Sequence, residues 1–391
     1  MQKTPFSQMT SRERVTAAMK GLPQDRVPVF YWINPHAACK IMTDNQPTRN
    51  KNSQFLGTAL WKWFSHRKFQ GGDLPRALPI LLEGYTNTTY APELGSDIAL
   101  LSNSDAYGIQ KLYLQNGRMK VLDLFGSIRS IGGIYADVTE PAIRSLADLK
   151  SYSFCDFSTD KGLASFKKYR DAHPDIYILG ASYGVQDLFI TQLWNMQDAL
   201  MAMIDHPEEV KAFQKRLADW AIDLAIRDLR AGADGILIYD DYGYTRRTMI
   251  SLEMWKEFTL PHLKRIVSAI HEEGGHAVLH SCGFQMPLLP FYAGIELDAL
   301  QTFQPKAGND LVEAYPRYGD QFTFITGIDI QLGELMSPDQ LREDILRQYQ
   351  IGKTKNRFIL GTTHELQFTM PDENIKTIFQ TVGQIQKGNL G

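Results

Sequence analysis

The sequence predicts an α/β fold, a (β/α)8 barrel of TIM type with helical and hairpin insertions in its N-terminal part. Three observations carry that prediction. From residue 176 onward, short apolar runs at 176–180, 235–239, 277–280, 299–301, 323–328 and 358–361 alternate with long amphipathic stretches at 207–231, 252–273 and 338–351. Strand and helix at this rhythm build a parallel sheet, because each helix returns the chain to the end where the previous strand began. A seventh apolar, β-branched and aromatic run spans 27–32, and the region 73–137 has room for the eighth. Finally, no Gly-rich dinucleotide or phosphate fingerprint follows any of these runs, which weighs against the alternative of an open doubly wound sheet.

Length and composition agree with one barrel. A chain of 391 residues is long for a single domain, but a barrel with insertions reaches this size. We therefore expect one domain over 1–391, with N-terminal helices and an inserted hairpin in 1–150 and regular βα units over 176–391. The net charge of -3 contains no run of like charges, so a nucleic-acid groove or a membrane-binding basic face is not expected. No apolar stretch approaches a membrane span, and the first residues lack the apolar core of a signal peptide; the expected location is the cytoplasm. Three cysteines, Cys39, Cys155 and Cys282, are too few and too odd a set for a disulfide framework.

In chain order, 11–21 reads as a short helix with Ser11 as N-cap and Gly21 closing it. The strand at 27–32 leads into Asn34-Pro-His36, where His36 is placed to stand on a pocket wall or on the first turn of a helix. The 43–72 stretch carries Phe55, Leu56, Leu60, Trp61 and Phe64 at helical spacing, an apolar stripe more suited to core than to a cofactor. Asn116-Gly117 between the apolar runs 111–114 and 120–124 predicts an antiparallel hairpin. A short helix over 145–152 follows, and Cys155 beyond it sits among Phe154 and Phe157, a structural setting.

Chemistry-bearing residues collect at the ends of the predicted strands, which is the functional end of a barrel. His280-Ser-Cys282-Gly283 ends one strand. Residues two apart share a face, so an imidazole and a thiolate project together, a ligand pair suited to zinc; the alternative is a buried cysteine acting as a small hydrophobe beside a hydrogen-bonded histidine. Asp240 and Asp241 follow 235–239, and paired acids beyond an apolar run point to a cation, a polar substrate or a proton, or else to a solvated loop capping the helix near Ser251. Thr326-Gly-Ile-Asp329 repeats the arrangement with one acid, and Gly361-Thr-Thr-His364-Glu365 ends the last strand with a histidine and a glutamate.

The same residues carry a family resemblance. Arg12-Glu-Arg-Val, Asp25-Arg-Val-Pro-Val, Asp240-Asp241 with Ile250-Ser251 and Pro261, His280-Ser-Cys282-Gly, Thr326-Gly-Ile-Asp329 and Met370-Pro-Asp-Glu-Asn374 occur in this order. The pattern resembles the uroporphyrinogen decarboxylase superfamily, and within it looks more like the cobamide-dependent methyltransferase branch. The resemblance implies a barrel with its site at the C-terminal mouth, and a zinc ion held by the His-x-Cys pair and a later cysteine. Two departures matter. The decarboxylase branch carries arginines just after the first strand to bind tetrapyrrole carboxylates, whereas 31–42 here contains none. Seven residues before Pro371, where the methyltransferases have cysteine, this chain has His364, itself a good zinc ligand.

The resemblance thus implies a zinc-dependent methyltransferase moving a methyl group between a small methylated substrate, such as a methoxylated compound, and a corrinoid carried on a separate protein. His280, Cys282 and His364 would hold the metal. Asp240, Asp241 and Glu365 are the expected catalytic acids, with His36, Tyr239, Tyr242 and Asp329 at the substrate. Two other readings stay open: a metal-independent decarboxylase-like enzyme using Asp240 and His364 as acid and base, and a binding protein that kept the fold without the chemistry.

Overall fold

The structure is a computed structural model that describes residues 8–33, 37–38, 88–101, 109–115, 118–131, 136–156, 160–367 and 369–389. Its strands in chain order are β1 (Val29–Phe30), β2 (Ile98–Leu100), β3 (Ile109–Gln115), β4 (Arg118–Asp123), β5 (Ile128–Ile131), β6 (Ala136–Glu140), β7 (Tyr177–Tyr183), β8 (Gly235–Tyr239), β9 (Gly243–Tyr244), β10 (Arg247–Thr248), β11 (His276–His280), β12 (Ala299–Gln301), β13 (Thr323–Ile328) and β14 (Phe358–Thr362). Eight of them form one sheet in the order β1-β14-β13-β12-β11-β8-β7-β2, and every pairing within it is parallel. No ladder joins β1 to β2 among the described residues, but the Asp97 N–H donates to the Val29 carbonyl at 2.7 Å. The sheet is thus a nearly closed barrel. The eighth strand, expected somewhere in 73–137, is β2.

Alternation along each strand divides the core in two. Inside the barrel, Phe30, Ile98, Leu179, Leu237, Val278, Ala299, Ile325 and Ile359 form one buried cluster, closed at its N-terminal end by Val15, Ala18 and Met19. The neighbouring positions Ile236, Ile238, Leu279, Leu300, Phe324 and Leu360 face outward and pack on the surrounding helices. A solid interior leaves only the C-terminal mouth open for a site.

The plugging helix Ser11–Met19 is capped by Thr10 rather than by Ser11. Thr10 accepts the Glu13 N–H, and the Glu13 carboxylate accepts the Thr10 N–H at 2.9 Å, a reciprocal capping box. Ser11 is released to donate its hydroxyl to Asp97 at 2.7 Å. Asp97 also pairs with Arg14 at 2.7 Å and with Arg26 at 2.8 Å, while Arg14 reaches Asp25 at 2.6 Å. The Arg12-Glu-Arg-Val and Asp25-Arg segments therefore tie the plug to the barrel, far from the mouth.

The predicted hairpin is present as β3 and β4, closing at the Gln115–Arg118 pair, and it extends through β5 and β6 into a four-stranded antiparallel sheet. The 252–273 stretch is two helices, Leu252–Phe258 and Leu260–Glu272. Pro261 in the first turn of the second supplies no N–H and suits a restart. His36, Cys39 and the expected 43–72 helix lie outside the described residues. No described helix is long and apolar enough to cross a membrane.

Candidate functional site

The strand ends open on a cavity of about 930 Å³ lined by Trp32, Tyr183, Asp187, Tyr239, Asp241, His280, Cys282 and His364 among others. His280 is the last residue of β11, Cys282 lies two beyond it, and His364 lies two beyond the end of β14. Ligand atoms of these three side chains all fall within 4.8 Å of one another. The His280 Nε2 to Cys282 Sγ distance is 3.5 Å. Two ligands of one tetrahedral zinc stand about 3.3–3.6 Å apart, so this pair already has the separation the ion requires.

The strand next to β11 sets the form of His280. The Gln301 side-chain amide donates through Nε2 to the Thr362 carbonyl at 3.2 Å, which turns its own carbonyl oxygen toward His280 Nδ1. That oxygen only accepts, so Nδ1 carries the proton and Nε2 presents a lone pair to the cluster. Trp32 holds both rings, stacked on His364 at 5.1 Å and edge-on to His280 at 5.0 Å. Burial lowers His280 to about 4 and His364 to about 3, which keeps both rings neutral. His364 Nδ1 accepts the Glu365 N–H at 2.7 Å, so the neutral ring carries its proton on Nε2 and must turn or lose that bond to take a metal. Burial pushes the Cys282 thiol well above its ordinary range, and binding a cation would release its proton. This donor set fits zinc, with His280 preset and His364 within reach.

The two expected acids divide the work. Asp241 accepts the Cys282 N–H at 2.7 Å and lies 3.8 Å from His280 Nε2, so it sits beside the cluster. Asp240 is 1% exposed. It accepts N–H groups from Val185 at 3.0 Å, Gln186 at 3.3 Å and Asp187 at 2.7 Å, and the Tyr242 hydroxyl at 2.8 Å. Its oxygens are committed to the turn after β7. Gly184 is required there, because a Cβ would come within 2.0 Å of Asp240 Oδ2.

That turn carries a residue the sequence reading missed. Asp187 lines the cavity, and burial, followed by the nearby charge of Asp241, raises it to about 7. It lies four residues beyond the end of β7 at Tyr183, and taking that strand to its true end would have brought it into view. Gln301 and Gln304 were missed as well; Gln304 accepts the Gly283 N–H at 2.8 Å and lies 3.8 Å from Cys282 Sγ. Uncharged amides in and after a strand carry no sequence signal of their own.

The remaining expected residues separate into wall and support. Tyr239 is wall, with its ring 5.9 Å from Trp32 and 6.3 Å from Tyr183. Tyr242 is fully buried behind the wall, against Trp255 and Asp240. Asp329 caps the short helix Ile330–Gly333, accepting N–H groups from Gln331 and Leu332, and it is Ile330 and Gln331 that reach the cavity. Glu365 is buried and receives the Gln367 amide at 2.5 Å, and it is Gln367 that faces inward. The sequence expectation of direct substrate contact thus meets a supporting placement at Tyr242, Asp329 and Glu365. Asn374, from the Pro-Asp-Glu-Asn segment, donates to the Gly333 and Met336 carbonyls at 2.7 and 2.9 Å and anchors the last helix.

Fold and site define a (β/α)8-barrel protein with an imidazole- and thiol-bearing cluster at its mouth. Residues 128–385 match the family described as Uroporphyrinogen decarboxylase (URO-D), and the chain belongs to that family. A methyltransferase from Methanosarcina mazei shares the fold, with a TM-score of 0.66 at 17% identity over 96% of this chain and 99% of its own. A B12-independent methionine synthase from a Shewanella species aligns at 11% identity and a TM-score of 0.49 over 92% of this chain and 97% of that one. No curated protein matches the sequence.

Proposed function

We propose that this protein is a zinc-dependent methyltransferase that moves a methyl group between a small methylated substrate and a corrinoid carried on a separate protein. The observation that supports this reading most is the His280, Cys282 and His364 cluster at the floor of the cavity, with His280 held in its ligating tautomer. Zinc bound there would supply Lewis acidity toward a methylated heteroatom, or hold an acceptor thiolate. Asp241 would act beside the reacting atoms and steady the Cys282 loop. Asp240, Tyr242 and Glu365 would act as positioning residues, and Tyr239 and Trp32 would exclude water. His36 keeps its proposed place on the pocket wall and Asp329 a supporting one. The Methanosarcina methyltransferase of the same fold is consistent with this chemistry.

Decarboxylation of uroporphyrinogen is not expected. The described cavity lining carries Asp137, Asp187, Asp240, Asp241 and Glu334 against only Arg129 and Lys306, and Arg129 is engaged by Asp123 at 2.6 Å. A substrate with many carboxylates would meet repulsion where it needs charge-assisted partners. The test is metal content followed by transfer of methyl groups to cob(I)alamin from methoxylated and methylated compounds, read by the corrinoid absorption change. Stoichiometric zinc and turnover are expected, with most of both lost in Cys282→Ser and His364→Ala while the proteins remain folded. A protein that binds no zinc, or that turns over uroporphyrinogen, would overturn the proposal.

A further inference from the structure

Among the described residues, two adjacent arginines on the rim of the cavity have no polar partner for their side chains. Strands β9 and β10 form a hairpin with Tyr244 opposite Arg247, so Thr245 and Arg246 make its two-residue turn. Every other arginine with a described side chain donates to a carboxylate, an amide or a backbone carbonyl. Arg246 and Arg247 are exposed and do none of these; Arg247 lies 5.6 Å from the ring of Tyr244. The turn itself is fixed in place. The Arg246 N–H donates to the Ala307 carbonyl at 2.8 Å, and the Phe284 N–H donates to the Tyr244 carbonyl at 2.9 Å. Arg246 sits at φ +58°, in the left-handed region that glycine or asparagine fills with less strain. Gly308 makes room for its stem, because a Cβ there would lie 3.1 Å from Arg246 Cγ. Lys306, next to Ala307, is exposed as well and forms no ion pair among the described residues.

Apolar surface continues from these three cations. Tyr244 is 38% exposed, and its hydroxyl reaches Met196 Sδ at 3.2 Å. Met196 opens the helix Met196–Asp205, which leads from the turn after β7 to the start of the helix Pro207–Arg230 and so lies at the mouth end of the barrel. On the outer side of that helix Met201 is 51% and Ile204 65% exposed. Tyr244, Thr245 and Lys306 line the cavity, but neither guanidinium does. A small ligand inside the cavity leaves both arginines and the helix untouched, so what engages them spans the rim. Arginine, tyrosine and methionine side by side are the composition of a protein interface, and free guanidinium groups select carboxylates opposite them.

We infer that this rim docks the separate protein that carries the corrinoid, and that the carrier covers it with an acidic face. Its carboxylates meet Arg246, Arg247 and Lys306, and its apolar side chains meet Tyr244, Met201 and Ile204. The inference rests on the methyl-transfer reading and deepens it by giving the partner a place and a charge. The Gly243 N–H bonds the same hairpin to the Cys282 carbonyl at 3.2 Å, so the docked face lies close to the residues that would hold the metal.

Cobalamin carrying a tail of glutamates on its ribose, and the same cofactor with a glutamine tail of equal length, stand in for the carrier. Both are titrated by calorimetry into the whole protein, with and without zinc. The acid-tailed conjugate is expected to bind about tenfold more tightly at about 0.02 M salt and to lose that advantage at about 0.5 M, where exposed charges are screened. Arg246→Asn combined with Arg247→Gln is expected to remove most of the advantage, with asparagine keeping the left-handed turn. Equal affinity of the two conjugates for wild-type protein overturns the inference, and so does an advantage that survives in the double variant. An oligothymidylate of equal charge that binds more tightly than free oligoglutamate would assign the rim to nucleic acid and overturn it too. No methyl transfer to either conjugate or to free cob(I)alamin, with the acid-tailed advantage in binding intact, would defeat the methyl-transfer reading and leave an acidic partner in place. Methyl transfer to both conjugates with equal affinities would do the reverse.

Discussion

At the scale of single residues, the proposed zinc site would depend on side chains that hold no metal themselves. Gln301 decides which nitrogen of His280 is free, because its amide is itself oriented by the Thr362 carbonyl. Replacing it by leucine removes the acceptor and lets the ring take either tautomer. Zinc affinity, read by competition with a chromophoric chelator, is expected to fall about 10–100-fold in Gln301→Leu, with the fold retained; unchanged affinity would remove the orienting role. Asp240 is the second case. Asparagine there would aim an NH2 group at N–H donors that now meet a carboxylate oxygen. Asp240→Asn is expected to lose about 1–3 kcal/mol of stability in denaturant unfolding, through the turn that carries Asp187.

Between elements, the loops after β8 and β11 interlock. The Gly243 N–H donates to the Cys282 carbonyl at 3.2 Å, and the Phe284 N–H to the Tyr244 carbonyl at 2.9 Å. Gly283 sits at φ +82°, and a Cβ on it would come within 2.1 Å of the Gly243 carbonyl oxygen. Gly283→Ala therefore combines left-handed backbone strain with a backbone clash, and it is expected to cost about 1–3 kcal/mol and to loosen Cys282. Zinc content measured on the folded fraction separates those two effects. At the other end of β11, the helix Leu260–Glu272 is tied to the sheet by His271, whose Nε2 lies 2.7 Å from Asp298. That hydrogen bond raises His271 above its ordinary 6.5. The folded state therefore holds this proton more tightly than the unfolded chain does. Its contribution is fully present below about pH 6.5 and is lost as pH rises through the folded value above it. Because the pair is partly exposed, less than about 1 kcal/mol is at stake. Unfolding curves at pH 5.5 and 8.5 should show His271→Gln less stable than wild type at the lower pH and nearly equal at the higher; a gap that widened with pH would contradict the assignment.

At the scale of the whole molecule, stability and site sit at opposite ends of the barrel. Asp97 joins Arg14, Arg26, Ser11 and the Val29 N–H at the plugged end, where its carboxylate is fully buried. Asp97→Ala would leave the Arg14 guanidinium short of a partner inside the protein, and a loss of about 3–5 kcal/mol is expected without any change in zinc affinity of the protein that remains folded. From the sequence alone follow the barrel, most of its strand positions, the His280 and Cys282 pair and the acids beyond β8, because period-two apolar runs and charged residues at their ends are local signals. β2 was harder to find, since three residues carry too little pattern. Only the tertiary structure decided that His364 comes within reach of His280 and Cys282, that Asp187 lines the cavity and Gln301 faces His280, and that Tyr242, Asp329 and Glu365 stand back from the cavity lining. Those outcomes depend on barrel closure and on which way each side chain turns after its strand ends. There the alternation that governs a strand stops applying, and packing between distant segments sets the direction instead.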